Sequence, residues 1–282
     1  MNYRHAYHAG NFADIMKHGV LVSLLQALSR KPKPWCYYDT HAGAGLYDTA
    51  AGMAAKTGEA ESGIGRLWRV KGNVPAPLVE LHRIVMGFNQ GEPAEAIPRH
   101  YPGSPAIAAA LARDHDRLIV AERHPEEAAL LRQQFHRDRR VAVHERDGYE
   151  MIRALVPPPE RRGLVLMDPP FEREDEFSVL AETCIAAHTR WPDGVYALWY
   201  PVKDPAVIAR FHRRLRQSGM TRLLVAQLAI GPVTAASLTA SGMVVVNPPW
   251  QTDQSIADLL AFLARTLAPA QGQSEVNWLV PE

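Results

Sequence analysis

The chain has 282 residues, with 31 Lys and Arg against 30 Asp and Glu and a formal net charge of +1. Hydrophobic residues make up 47% and charged residues 22%, which excludes global disorder and implies a core that needs no covalent staples. With two cysteines, Cys36 and Cys184, a disulfide framework and a cysteine-rich zinc site are excluded, and the near-neutral balance argues against a surface coated in nucleic acid. No secretory signal is visible after Met1 and no run of 18 apolar residues suggests a membrane span, so a cytoplasmic location is expected.

Seven short apolar runs read as strands: 35–38, 118–121, 141–143, 164–167, 195–199, 223–228 and 243–246. Helical periodicity covers 12–28, 77–88, 105–113, 174–190, 204–217 and 254–267. Alternation of the two predicts an α/β fold with a mostly parallel sheet. The first four strands end on, or lead shortly to, an acid: Asp39, Glu122, Asp147 and Asp168. Four such acids suggest one polar site beyond the carboxyl edge of a parallel sheet.

One interval is too long. A nucleotide-type unit reaches its ribose-binding acid about 20 residues after its glycines, yet 77 residues separate Gly45 from Glu122. The excess is expected to be a helical insertion, 47–101, set into a catalytic domain of residues 1–46 and 102–282. Ser104 then reads as an N-cap before Pro105, opening a displaced crossover helix whose N-terminus faces the ligand.

Two motifs carry chemistry. Asp39-Thr40-His41-Ala42-Gly43-Ala44-Gly45 follows a strand. Its glycines let the backbone approach a ligand, and Asp39 could meet the charged side of a cationic one. It is neither a P-loop nor a full dinucleotide fingerprint, and two glycines alone also fit a plain loop. Asp168-Pro169-Pro170-Phe171 is more specific. The amino nitrogen of a nucleobase is a poor nucleophile, because its lone pair is delocalised into the ring. Asp168 can accept one N–H and the Pro169 carbonyl the other, and both bonds strengthen as that nitrogen gains positive charge. Phe171 offers a face for an extruded base. Asn247-Pro248-Pro249-Trp250 has the same form but ends the seventh strand. That strand is expected to run antiparallel, which puts Asn247 at the opposite edge of the sheet as a structural turn.

These residues resemble the S-adenosylmethionine-dependent adenine-N6 methyltransferases of bacterial 23S ribosomal RNA, the large-subunit methyltransferase J family. The likeness runs from Tyr3-Arg4-His5 and His8-Ala9-Gly10-Asn11 through Lys17-His18, the loop from Asp39 to Gly45, and the stretch from Tyr101 to Pro105. It continues through Asp147-Gly148, the turn from Asp168 to Phe171, Ala197-Leu198-Trp199-Tyr200-Pro201, and the stretch from Thr239 to Met243. It closes with the turn from Asn247 to Trp250 and with Trp278-Leu279-Val280-Pro281-Glu282. The resemblance implies a Rossmann-like class I methyltransferase with a seven-stranded, mostly parallel sheet. It implies a donor pocket of His18, His41, Gly43, Ser104, Glu122, Asp147 and Gly148, with Asp168 as catalytic residue and Tyr3 as a substrate contact. Phe171 departs from the tyrosine common in the family: it keeps the stacking face and lacks the hydroxyl.

Elementary chemistry is consistent with these roles. Glu122 stands where a carboxylate binds both ribose hydroxyls, and Asp147-Gly148 can accept an adenine amino group and leave room for the ring. His5 and His8 lack the further ligands of a metal site. The cysteines read as core residues, which disfavours a covalent route through cysteine. The expected substrate is single-stranded or partly unfolded 23S rRNA, because a paired adenine hides its amino group. Trp199 and Tyr200 are stacking candidates. Arg210, Arg213, Arg214, Arg216 and Arg222 form one basic stretch and Arg132, Arg137, Arg139 and Arg140 another; either could hold phosphates or be a solvated face. No membrane or stable protein partner is implied. An N6-adenine DNA methyltransferase and a non-catalytic RNA-binding protein on the same fold remain alternatives.

Overall fold

Eight strands form one sheet in the computed structural model, which describes residues 8–50, 58–70, 72–92 and 97–281. In chain order the first half contains α1 (Phe12–Ser29), β1 (Cys36–Asp39), β2 (Leu46–Asp48), a π-helical turn (Glu61–Gly65) running into α2 (Arg66–Trp68), α3 (Ala76–Gly87), β3 (His100–Pro102), α4 (Ser104–Leu111), β4 (Arg117–Glu122), α5 (Pro125–Phe135) and β5 (Val141–Glu145). The second half contains α6 (Gly148–Leu155), β6 (Gly163–Met167), α7 (Glu176–Arg190), β7 (Val195–Pro201), α8 (Pro205–Arg216), β8 (Leu223–Ala229), β9 (Ala240–Val246), α9 (Thr252–Leu267) and β10 (Gln273–Val280).

The sheet order is β10-β8-β9-β7-β6-β1-β4-β5. Strands β5, β4, β1, β6 and β7 run parallel, and β9 is antiparallel to both β7 and β8. The chain moves from β1 outward through β4 and β5, then returns to β6 on the other flank. The reversal lies between β1 and β6, where sheets of this kind open a crevice.

The seven expected strands are all present. The sheet has one more, β10, antiparallel to β8, so the count of seven is corrected to eight. This edge strand is largely solvent-facing and needs no continuous apolar run, so its sequence gave a weak signal. Two helices, α5 and α6, also lie outside the helical stretches expected from periodicity.

Helices cover both faces of the sheet. Alternate residues of each strand feed two cores: Tyr37, Leu118, Leu164 and Leu166 face α1, α3, α4, α5 and α9, while Tyr38, Ile119, Val165 and Met167 face α6, α7 and α8. Helix α1 is buried around nearly its whole circumference, because α9, α3 and α4 pack on its sides. Strands β2 and β3 pair antiparallel, Leu46 against Pro102, and close the excursion that leaves the sheet after β1. Ile64, Leu67, Leu78, Leu81 and Val85 of that excursion share the core of α1. No helix among the described residues is long and apolar enough to cross a membrane.

Candidate active site

A cleft of about 650 Å³ opens at the β1/β6 reversal, within the range of small-molecule sites. The carboxyl ends of the parallel strands supply its floor. The N-terminal part of α1 and the start of α8 also line it.

Helix α1 is aimed by its own cap. Asn11 accepts from the Asp14 backbone N at 3.0 Å, and Asp14 accepts from the Gly10 N at 3.0 Å. One turn on, Lys17 Nζ lies 2.9 Å from Asp14 Oδ1 and donates to Asp168 Oδ2 at 2.5 Å. Burial opposes its charge, but the two carboxylates outweigh that and hold its pKa well above the usual lysine range. The ammonium therefore fixes one oxygen of Asp168, and no hydrogen bond among the described residues involves the other. Sequence reasoning gave Lys17 no role. Within an apolar helix, Asp14 and Lys17 resemble an ordinary surface pair three residues apart, and only the burial of both reveals otherwise.

After Asp168 the chain turns through Pro169 and Pro170 into Phe171, whose φ is +51°. A left-handed aromatic residue is rare and marks a backbone held for a purpose. The Phe171 ring packs 4.7 Å from Phe177 and 5.8 Å from Trp199, centroid to centroid, and all three line the cleft.

On the other flank, Glu122 ends β4 and accepts from the Gly43 N at 2.9 Å and the His124 N at 2.7 Å. Gly43 has φ +60°, and a Cβ there would meet Tyr47 Oη at 2.0 Å. Asp147 caps α6, accepting from the backbone N of Tyr149 and Glu150, and a Cβ on Gly148 would lie 1.9 Å from the Thr40 carbonyl. The two loops are thus in backbone contact, which only glycine permits. His41 stands edge-on to Tyr149 at 5.0 Å. Burial pushes its pKa down to about 4, although Asp168 and Asp147 pull it up, so the ring is neutral at pH 7. His18 is buried, its Nδ1 2.8 Å from Tyr101 Oη.

The cleft gathers His18, His41, Gly43, Ser104, Glu122, Asp147, Gly148, Asp168, Pro169, Phe171 and Trp199. Three expectations change. Ser104 is the first residue of α4, after the cap residue Gly103, and its Oγ donates to Asp39 Oδ2 at 2.6 Å instead of capping. Asp39 does not line the cleft; it is fully buried and also accepts from Tyr37 Oη at 2.7 Å. Burial raises its pKa to about 6, against the lowering effect of those hydroxyls, so it braces the wall and does not face a ligand. Tyr200 points away from Trp199, as strand alternation requires; its hydroxyl lies 2.9 Å from His212 Nε2 and accepts from Gln227 Nε2 at 3.0 Å. Tyr3 lies outside the described residues. Asn247 sits at the far edge of the sheet, with φ +53° and its Nδ2 donating to the Pro192 and Gly194 carbonyls. Among the described residues no cluster of three or more His, Cys, Asp or Glu could hold a metal ion.

This donor set suits S-adenosylmethionine. Glu122 offers acceptors for paired hydroxyls and Asp147 an acceptor for an amino group, while Gly43 and Gly148 let the loops that carry these groups close against Tyr47 and Thr40. With the sheet order and the crevice at its reversal, these features define a class I S-adenosylmethionine-dependent methyltransferase.

Comparison with known proteins narrows the class. Residues 32–280 match the family model described as "Ribosomal RNA large subunit methyltransferase D, RlmJ". The chain is 40% identical to the ribosomal RNA large subunit methyltransferase J of Escherichia coli strain K12 and 38% identical to that of Haemophilus influenzae. Both likenesses cover the whole of each chain. A crystal structure of protein LPL1258 from Legionella pneumophila superposes with a TM-score of 0.89 at 32% identity, over 96% of this chain and 98% of that one. The chain belongs to the large-subunit methyltransferase J family, whose members are S-adenosylmethionine-dependent rRNA methyltransferases.

Proposed function

We propose that the protein methylates the exocyclic N6 of an adenine in 23S rRNA, with the base presented from a single-stranded or partly unfolded segment. S-adenosylmethionine, when bound, supplies an electrophilic methyl carbon for direct in-line displacement. The observation that carries the reading is Asp168, held at the cleft floor by Lys17 through one oxygen and followed by a proline turn and a left-handed aromatic residue.

The free oxygen of Asp168 accepts one N–H of the amine, and the Pro169 carbonyl accepts the other. Both bonds strengthen as the nitrogen turns from planar to tetrahedral, which is where catalysis requires them to be strongest. The proton passes to Asp168 or to water. Phe171 stacks on the base, with Trp199 closing the far side and Tyr3 a further contact. Glu122 binds the donor's ribose, Asp147 and Gly148 its adenine, and His18, His41, Gly43 and Ser104 complete that pocket. No nucleophile is required: Cys36 and Cys184 are buried, and burial raises both thiols to about 12.

The same reading treats residues 47–101 as a helical insertion in a catalytic domain of 1–46 and 102–282, supported by the pairing of β2 with β3. Glu59 of that insertion contacts His8 and Asn11 beside the cleft. The enzyme works in the cytoplasm, where its substrate is made. Asp168→Asn tests the mechanism. Methyl transfer to a 23S transcript is lost while donor binding, read by calorimetry, persists; retained turnover would sink the assignment.

A further inference from the structure

We propose that the RNA strand leaving the cleft runs along the outer face of α8, its phosphates held by Lys203, Arg210 and Arg213. This rests on the reading of the substrate as RNA and goes on to say which surface holds it.

Two basic stretches compete, and position separates them. Helix α8 starts at the cleft: Lys203, Asp204, Val207 and Ile208 all line it. Its apolar residues Ile208, Phe211 and Leu215 are buried against the sheet, so the opposite face carries the arginines into solvent. At a rise of ~1.5 Å per residue, Arg210 and Arg213 lie roughly 4.5 and 9 Å beyond Val207 along the axis. A strand emerging over Lys203 meets them in turn. The second stretch, from Arg132 to Arg140, belongs to the other flank, where Arg123, His124 and Glu127 line the cleft beside Glu122 and Asp147, the side assigned to the donor. It covers the last turn of α5 and the residues before β5, whereas α8 follows β7, whose Trp199 lines the cleft with Phe171 on the side assigned to the base.

Acidic neighbours separate them further: α5 carries Glu126 and Glu127 in its first turn and Asp138 interrupts its stretch, whereas Arg137 and Arg139 are as exposed and as free of ion pairs among the described residues as Arg210 and Arg213. Arg132 is bound to Glu145, and Arg140 to Asp138 and the Ala112 carbonyl. On the α8 side, Arg214 bonds Glu182 and Arg222 donates to the Pro248 carbonyl, so these two serve the fold. Lys203, Arg210 and Arg213 are exposed and make no ion pair among the described residues. No acid occurs between residues 205 and 222. Three cations without partners, in line from the mouth of the site, form an electrostatic track for a single strand.

The test uses full-length protein and a protein-free 23S rRNA transcript. Arg210→Gln/Arg213→Gln is compared with the control Arg137→Gln/Arg139→Gln, and donor binding by calorimetry confirms that both are folded. The α8 variant is expected to raise KM for RNA about tenfold with little change in kcat, and to flatten the log–log salt dependence by about 1.4, or ~0.7 per lost phosphate contact. The control is expected to match wild type. An unchanged KM and salt slope in the α8 variant, or the loss occurring in the control instead, overturns the proposal while leaving RNA methylation intact. A wild-type enzyme that methylates no RNA overturns the substrate reading itself.

Discussion

Replacing Lys17 by methionine keeps the length and apolar stem of the side chain but removes the ammonium between Asp14 and Asp168. The side chains of Lys17 and Asp14 are 5% and 3% exposed, and that of Asp168 15%. Removing one member of a buried ion pair costs about 3–5 kcal/mol, because a charge is left without compensation. Asp168 borders the cleft and can recruit water, so the lower end, ~3 kcal/mol, applies. For a chain of this size that lowers Tm by roughly 5–10 °C. Activity falls further, since the carboxylate that orients the amine is no longer held: a displacement of ~1 Å costs about a hundredfold. Calorimetric melting and transfer of a labelled methyl group to 23S RNA read the two effects. Adding Asp14→Asn removes one of the stranded carboxylates and recovers part of the stability, but none of the rate. A Lys17→Met enzyme with a Tm within about 2 °C of wild type and kcat/KM within about threefold would refute the reasoning.

Glu122→Gln should weaken donor binding by about 10–100-fold, because a charged acceptor facing two hydroxyls becomes a neutral one. Calorimetry with S-adenosylmethionine checks this, and RNA affinity should be unaffected. His41 has its pKa lowered from 6.5 to about 4 by burial. Above pH 6.5 the unfolded ring is neutral as well, so nothing is lost. Between pH 6.5 and 4 the unfolded chain takes up a proton that the folded one refuses, and stability drops by up to about 3 kcal/mol. His41→Gln should abolish that loss, so urea unfolding of wild type and variant, compared at pH 7.5 and 4.5, reads it as a difference. Asp39, raised to about 6, works in the opposite direction and is common to both proteins.

The catalytic edge was legible in the sequence because each of the first four strands delivers an acid to the same side of the sheet. Burial on both faces makes β1, β4 and β6 short apolar runs, and the following Asp or Glu stands out against them; the edge strand β5 shows itself only through Val141 and Val143. What escaped notice lacked such contrast. Strand β10 is an exposed edge, so Gln273, Glu275 and Asn277 dilute its pattern. Helix α6 spans only Gly148–Leu155, and its cap Asp147 reads equally well as an Asp-Gly turn. Lys17 carries its meaning only in three dimensions: the chain separates it from Asp168 by 151 positions. Tyr200 shows the converse. An aromatic pair at a strand end invites two stacking roles, but alternation sends one ring to the cleft and the other to the core.

The most direct test of the account is the identity of the modified nucleoside. Incubating the enzyme and labelled S-adenosylmethionine with 23S rRNA from a strain lacking the gene, followed by digestion and mass spectrometry, should give N6-methyladenosine at a single position. Methyl transfer to a cytidine, a guanosine or a ribose hydroxyl, or no transfer to this rRNA at all, would contradict it.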